Sequence, residues 1–154
     1  MSFVANQPSP GPAKILNDGW YPDIDVAKAR ATMRRVDGTV TPERFERAII
    51  TAIIEVGRDL GPWKAARMAD GYATLAAVPC DAVGGQPIHQ QNYLRAVYST
   101  AHADLMERMP DYDLTAAGQR STEPVEDMAD ALRRDASWAI TAILGRPRTT
   151  VELI

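Results

Sequence analysis

Apolar residues recur at helical spacing along most of this chain. Between Thr41 and Leu60 the positions Phe45, Ala48, Ile49, Ala52, Ile53, Val56 and Leu60 fall on one side of a 3.6-residue helix, while Glu43, Glu46, Arg47 and Arg58 fall on the other. Thr41 is placed to cap this helix. Pro42 follows at the first helical position, where a missing amide hydrogen costs nothing. Ile50 and Ile54 lie outside the stripe, so the helix is expected to be central in the fold or buried against a neighbouring subunit. A second long helix is predicted from about Ile88 to Met109, with Leu94, Val97, Tyr98, Ala101 and Leu105 in register and Pro110 as its stop. A third runs from Pro124 to Leu144. It carries Val125, Met128, Ala129, Leu132, Ala136, Ala139 and Ile143 on one face and Ala131, Trp138 and Ala142 on another, which again implies more than one packing partner.

Two shorter helices are predicted. Pro22-Asp23-Ile24-Asp25 supplies helix-start chemistry for one that extends to about Arg35, and Trp63 to Asp70 forms another after the Gly61-Pro62 break. A turn is expected over 36–40, a loop packed over the core from Tyr72 to Pro87, and a polar connector from Asp111 to Thr122. No alternating run is long enough to build a sheet. The fold class is therefore all-α, a small bundle of about four to five helices. Residues 1–21, with Pro8, Pro10, Gly11 and Pro12 among small polar neighbours, read as a flexible N-terminal arm. The helical domain covers 22–145 and an extended C-terminal tail covers 146–154.

That tail carries the strongest functional signal. Gly145-Arg146-Pro147-Arg148 stops the last helix, and Thr149-Thr150-Val151-Glu152-Leu153-Ile154 follows, a β-branched and apolar segment with no later element in this sequence to pair with. Such a segment is expected to pair with another molecule, which points to assembly and not catalysis. Arg146, Arg148, Val151, Leu153 and Ile154 are its candidate contact residues. Trp20 and Tyr21, an aromatic pair between arm and domain, are a further candidate anchor, since aromatics dominate interface hot spots. Ile50, Ile54 and Trp138 complete the possible interface.

Composition narrows the alternatives. At 154 residues the chain is the size of one domain and buries roughly 70% of its unfolded surface without a disulfide or metal. A net charge of −3 gives no field that would draw in nucleic acid or an anionic membrane. The single Cys80 excludes an internal disulfide and has no neighbouring base to activate it. No leader pattern and no apolar run near ~20 residues is visible, so a soluble intracellular protein with no membrane partner is expected. His89 and His102 lie too far apart in sequence to share a metal from one helical turn. Asp18, Asp23 and Asp25 lack the spacing and turn glycine of a calcium loop and read as capping residues. Gly84-Gly85 reads as a turn, not a phosphate loop. Neither a cofactor nor a metal nor an enzyme activity is expected. Arg133-Arg134, Arg146 and Arg148 are expected to complement a helix C-terminus, or else to meet carboxylates on a partner or passing nucleic acid.

The motifs taken together resemble a known family. Trp20-Tyr21-Pro22-Asp23-Ile24-Asp25, Arg30, Met33-Arg34, Val40-Thr41-Pro42-Glu43-Arg44, Leu75-Ala76-Ala77-Val78-Pro79, Tyr93-Leu94-Arg95-Ala96-Val97 and Arg134-Asp135-Ala136-Ser137-Trp138-Ala139, followed by Gly145-Arg146-Pro147-Arg148, closely resemble the L-type head completion proteins of tailed bacteriophages, over about residues 19 to 154. The resemblance implies a helical adaptor that binds the portal protein after DNA packaging and forms a ring matching a twelvefold portal. Such a ring extends the DNA channel, helps to retain the genome and docks neck or tail completion proteins, while double-stranded DNA passes without sequence-specific binding. It also implies a place in the virion neck and, during assembly, in the bacterial host cytoplasm. In that light Gly145-Arg146-Pro147-Arg148 is the hinge that releases the tail, and Val151 to Ile154 the part that meets the portal. The alternative is a small helical DNA-binding regulator using the 63–70 helix, for which only Lys64 and Arg67 supply basic character. A hydrolase built on Cys80 and one histidine is the least favoured reading.

Overall fold

The computed structural model describes residues 11–33, 40–108 and 123–147. Elements follow in the order β1 (Lys14–Ile15), β2 (Ile24–Asp25), α1 (Val26–Thr32), α2 (Pro42–Asp59), α3 (Gly61–Ala69), a 3-10 turn at Leu75–Ala77, β3 (Ala82–Val83), β4 (Gln86–Pro87), α4 (Ile88–Arg108) and α5 (Glu123–Ile143). Among the described residues the molecule is a helical bundle with two minimal antiparallel ladders, β1 with β2 and β3 with β4. Several expectations lie outside the described residues: Arg34, Arg35, the 36–39 part of the turn, the Pro110 stop, the 111–122 connector, the Val125 side chain, the arm over 1–10, and the tail residues Arg148, Val151, Leu153 and Ile154.

Helix α2 begins as its sequence dictates. The Thr41 hydroxyl accepts from the Arg44 amide at 3.4 Å, and Pro42 opens the first turn. Phe45, Ala48, Ile49, Ala52 and Val56 are buried, as is Leu60 at the helix end, whereas Ile50 and Ile54 point away from the core. Asp25 caps α1 by accepting from the Lys28 amide at 2.9 Å. Gly84 and Gly85 hold φ of 60° and 76°, the two left-handed positions that a two-residue hairpin turn requires, and they join β3 to β4.

Helix α4 is the spine. Its buried residues include Tyr93, Ala96, Val97, Ser99, Ala101 and His102, which are spread around the helix and not confined to one stripe. A helix buried all round needs neighbours on several sides. α5 packs along it on one side and α2 on another, while α2 and α5 barely touch each other. Ala129, Ala136, Ala139 and Ile143 form the buried face of α5. The α4–α5 seam is also tied by charge. The Arg95 guanidinium forks onto Asp135, with its Nε at 2.8 Å, and the Ser99 hydroxyl donates to the same carboxylate at 3.1 Å. This pairing raises the Arg95 pKa above its already high value.

One boundary differs from the sequence reading. Residues 1–21 read as an arm, yet Lys14–Ile15 already pairs with Ile24–Asp25, and Ile15, Trp20 and Tyr21 are buried in the core. The Tyr21 ring stacks on Tyr93 of α4 at 4.3 Å, and the Trp20 indole donates to the Tyr72 carbonyl at 3.2 Å. Asn17 donates to the Tyr93 hydroxyl at 2.8 Å. Trp20 and Tyr21 are therefore internal anchors and not a surface for a partner. Proline and glycine make up most of residues 8–12, but the apolar residues just beyond them bury enough surface to offset the ordering of the chain.

Candidate functional site

Several of the polar groups that could suggest chemistry have structural partners, whereas the Tyr21 hydroxyl and His89 Nδ1 are buried without a hydrogen bond among the described residues. Asp18 accepts from the Trp20 and Tyr21 amides at 2.9 and 3.1 Å and from the Lys64 ammonium. Burial alone would raise its pKa, but the Lys64 and amide hydrogen bonds prevail and hold it below the usual carboxylate value. Of the three aspartates read as helix caps, Asp25 caps α1, while Asp18 and Asp23 instead accept from amides of the segment that joins β1 to β2, Asp23 from Asn17 at 3.0 Å. Burial raises the Tyr21 pKa and pushes Tyr93 up to about 12, so both phenols stay neutral. His89 packs edge-on against Trp63 at 5.4 Å, where burial lowers its pKa, while His102 lies buried further along α4. Among the described residues no three potential metal ligands converge, and no helix is long and apolar enough to cross a membrane. Cys80 is exposed.

Helix α3 does not present a reading head for DNA. Lys64 is ion-paired with Asp18 and sits over the Trp20 and Tyr21 rings at 5.5 and 5.0 Å. Arg67 pairs with Asp70 at 3.1 Å. The two cations that the regulator reading needs on an outward face thus hold α3 to the N-terminal hairpin and to its own end.

What remains is surface. On α2, Ile50 and Ile54 are 41% and 65% exposed and stand one turn apart. On α5, Trp138 is 37% exposed, with the Arg134 guanidinium 5.5 Å from its ring. These apolar positions belong to two helices that barely touch each other and both pack on α4, so they form patches on separate helices. Between the two helices runs an open groove of about 590 Å³, floored by Thr100 and Ala103 of α4 and walled by Thr51 and Glu55 of α2 and Ser137 and Thr141 of α5. Leu144 and Arg146 also line it.

The last helix ends as its sequence suggests. Gly145 adopts φ of +66°, its amide donates to the Ala142 carbonyl at 3.3 Å, and the Arg146 amide donates back to Thr141 at 3.1 Å. These two bonds make a Schellman closure, which satisfies terminal carbonyls while redirecting the chain. Arg146 is exposed just beyond the bend. Sequence reasoning found Ile50, Ile54 and Trp138 by their departure from the core stripes. It missed the groove, which three helices distant in sequence build together, and the Arg95–Asp135 tie, for which no local pattern exists.

Comparison with known proteins supplies a context for these surfaces. A family model described as phage head completion protein matches residues 15–154. The head completion/stabilization protein of Escherichia phage P2 is 35% identical over 153 residues, covering 99% of this chain and 90% of that protein. No solved structure matches.

Proposed function

This chain belongs to the family of phage head completion proteins, and from that membership we propose that it is a structural adaptor at the junction of packaged head and tail. The family is a structural one associated with the virion, not a known enzyme class. In this reading several copies form a ring beneath the portal, twelve to match a portal of that symmetry, and the ring lengthens the DNA channel. The ring retains the genome and offers its far side to neck or tail completion proteins. The ring forms in the bacterial host cytoplasm as heads are completed.

The observation that carries the reading is the pair of separate apolar patches, Ile50 with Ile54 on α2 and Trp138 on α5. A ring built head to tail needs two different surfaces on each subunit, each complementary to the other and not to itself. The net charge of −3 supports a channel that lets DNA pass, because gripping it would take many outward lysines and arginines. Portal docking falls to the tail, with Arg146 and Arg148 meeting carboxylates and Val151, Leu153 and Ile154 lying along apolar portal surface.

The test is occupancy on DNA-filled heads that lack this protein. Wild-type protein should saturate them at one ring per head, counted by quantitative mass spectrometry, and a chain truncated after Pro147 should fold yet leave them empty. Full occupancy by the truncated chain would rule out the tail as the docking element.

A further inference from the structure

We propose that residues 61–74 form a flap, hinged at Leu60 and Leu75, that opens as a unit while α2, α4 and α5 stay packed. The proposal makes no use of the assembly reading and stands or falls apart from it.

Burial sets the limits of the flap. Leu60 and Leu75 are fully buried, yet no residue from Gly61 to Thr74 is, so the segment hangs between two fixed points. Within it, α3 makes few contacts with other elements beyond its joint to α2. Its apolar anchor is Trp63, edge-on to Trp20 at 6.0 Å and to His89 at 5.4 Å. Its polar latch is Lys64, ion-paired with Asp18 and seated over the Trp20 and Tyr21 rings, and the Trp20 indole adds one bond to the Tyr72 carbonyl. A segment with few buried apolar contacts is the kind that opens before the rest of a protein unfolds.

Unpaired polar groups supply the second argument. With the flap closed, the Tyr21 hydroxyl, His89 Nδ1 and Arg67 Nε are buried without a hydrogen bond among the described residues. All three lie on or beside the flap: Arg67 belongs to it, His89 packs on its Trp63, and Lys64 sits over the Tyr21 ring. Burying a polar group unpaired offsets part of what the aromatic contacts contribute, and opening returns these groups to water. The closed form is thus held by a narrow margin. The bundle does not depend on it, because every buried apolar residue of the described chain lies outside 61–74. A lifted α3, nine residues long, is too short to persist as a helix in water, so opening also melts it and uncovers Trp20 and Trp63.

Amide hydrogen exchange of the full chain, read residue by residue by NMR, tests the flap. Arg67 and Met68 inside α3, with Asp70 and Tyr72 at its end, report on the flap, and Val97 and Ala101 of α4 report on the bundle. Corrected for intrinsic rates, the flap amides should share one protection factor, roughly a hundredfold below that of α4, and low urea should barely change it because opening exposes little surface. Lys64→Met keeps the side-chain stem and removes the ammonium, and it should speed all four flap amides alike, roughly fivefold. Ile143→Val, in the core between α4 and α5, should speed the α4 amides roughly fivefold and leave the flap amides unchanged. If the flap amides follow α4 in the Ile143→Val variant, α3 opens only when the whole chain unfolds. If the response to Lys64→Met is graded along 67–72, α3 merely frays from one end. Either result would overturn the proposal.

Discussion

Asp18 shows how much a single side chain decides in this fold. Its carboxylate closes the turn of the 14–25 hairpin through the Trp20 and Tyr21 amides and fastens α3 through Lys64. Its pKa is depressed in the folded protein, so its contribution is present above the unfolded value near ~3.9 and is lost as pH falls through the folded value. Asp18→Asn keeps an oxygen for the amides and removes the charge. The variant should be less stable at neutral pH, and its stability should fall less steeply than wild type below about pH 4. Urea titrations across that range measure both, and identical pH profiles for the two proteins would remove the carboxylate from the account. The same region marks where residue patterns stop being legible. Ile15, Trp20, Tyr21 and Ile24 are visible as apolar residues, but strands of two residues have no period to detect, and the tyrosine stack joins positions far apart in sequence.

At the scale of elements, local chemistry predicted most of what forms. Thr41-Pro42 marks the start of α2 to the residue, Gly61-Pro62 its end, and Gly84-Gly85 a turn, though not the two short strands that it joins, because each depends on backbone constraints written in adjacent residues. Gly145 is of the same kind. Among the described residues nothing lies within 4 Å of where its Cβ would be, so Gly145→Ala meets backbone strain at φ of +66°. The substitution should cost about 1 kcal/mol in a denaturant melt and leave the helical content unchanged. A neutral result would mean that the Schellman closure is easily replaced. The groove could not be foreseen in this way. Its walls come from α2, α4 and α5, and its openness depends on how two outer helices sit on a third, which is settled by packing and not by spacing along one segment.

At the scale of the whole molecule, the two apolar patches make a prediction that separates folding from assembly. Ile54 is well exposed, so Ile54→Asp should change monomer stability by no more than about 0.5 kcal/mol while sharply lowering the number of copies held on each head. Wild-type occupancy by this variant would take the α2 patch out of the ring contact. The arrangement around α4 carries a last implication, for sequences not yet compared. Because α2 and α5 barely touch within one molecule, each is free to drift provided that it still fits α4. Compensating substitutions inside a subunit should link α2 with α4 and α4 with α5. A correlated change that links Ile50 or Ile54 directly with Trp138 would then record a contact between neighbouring subunits, so the evolutionary history of the family can test the proposed ring without a ring being imaged.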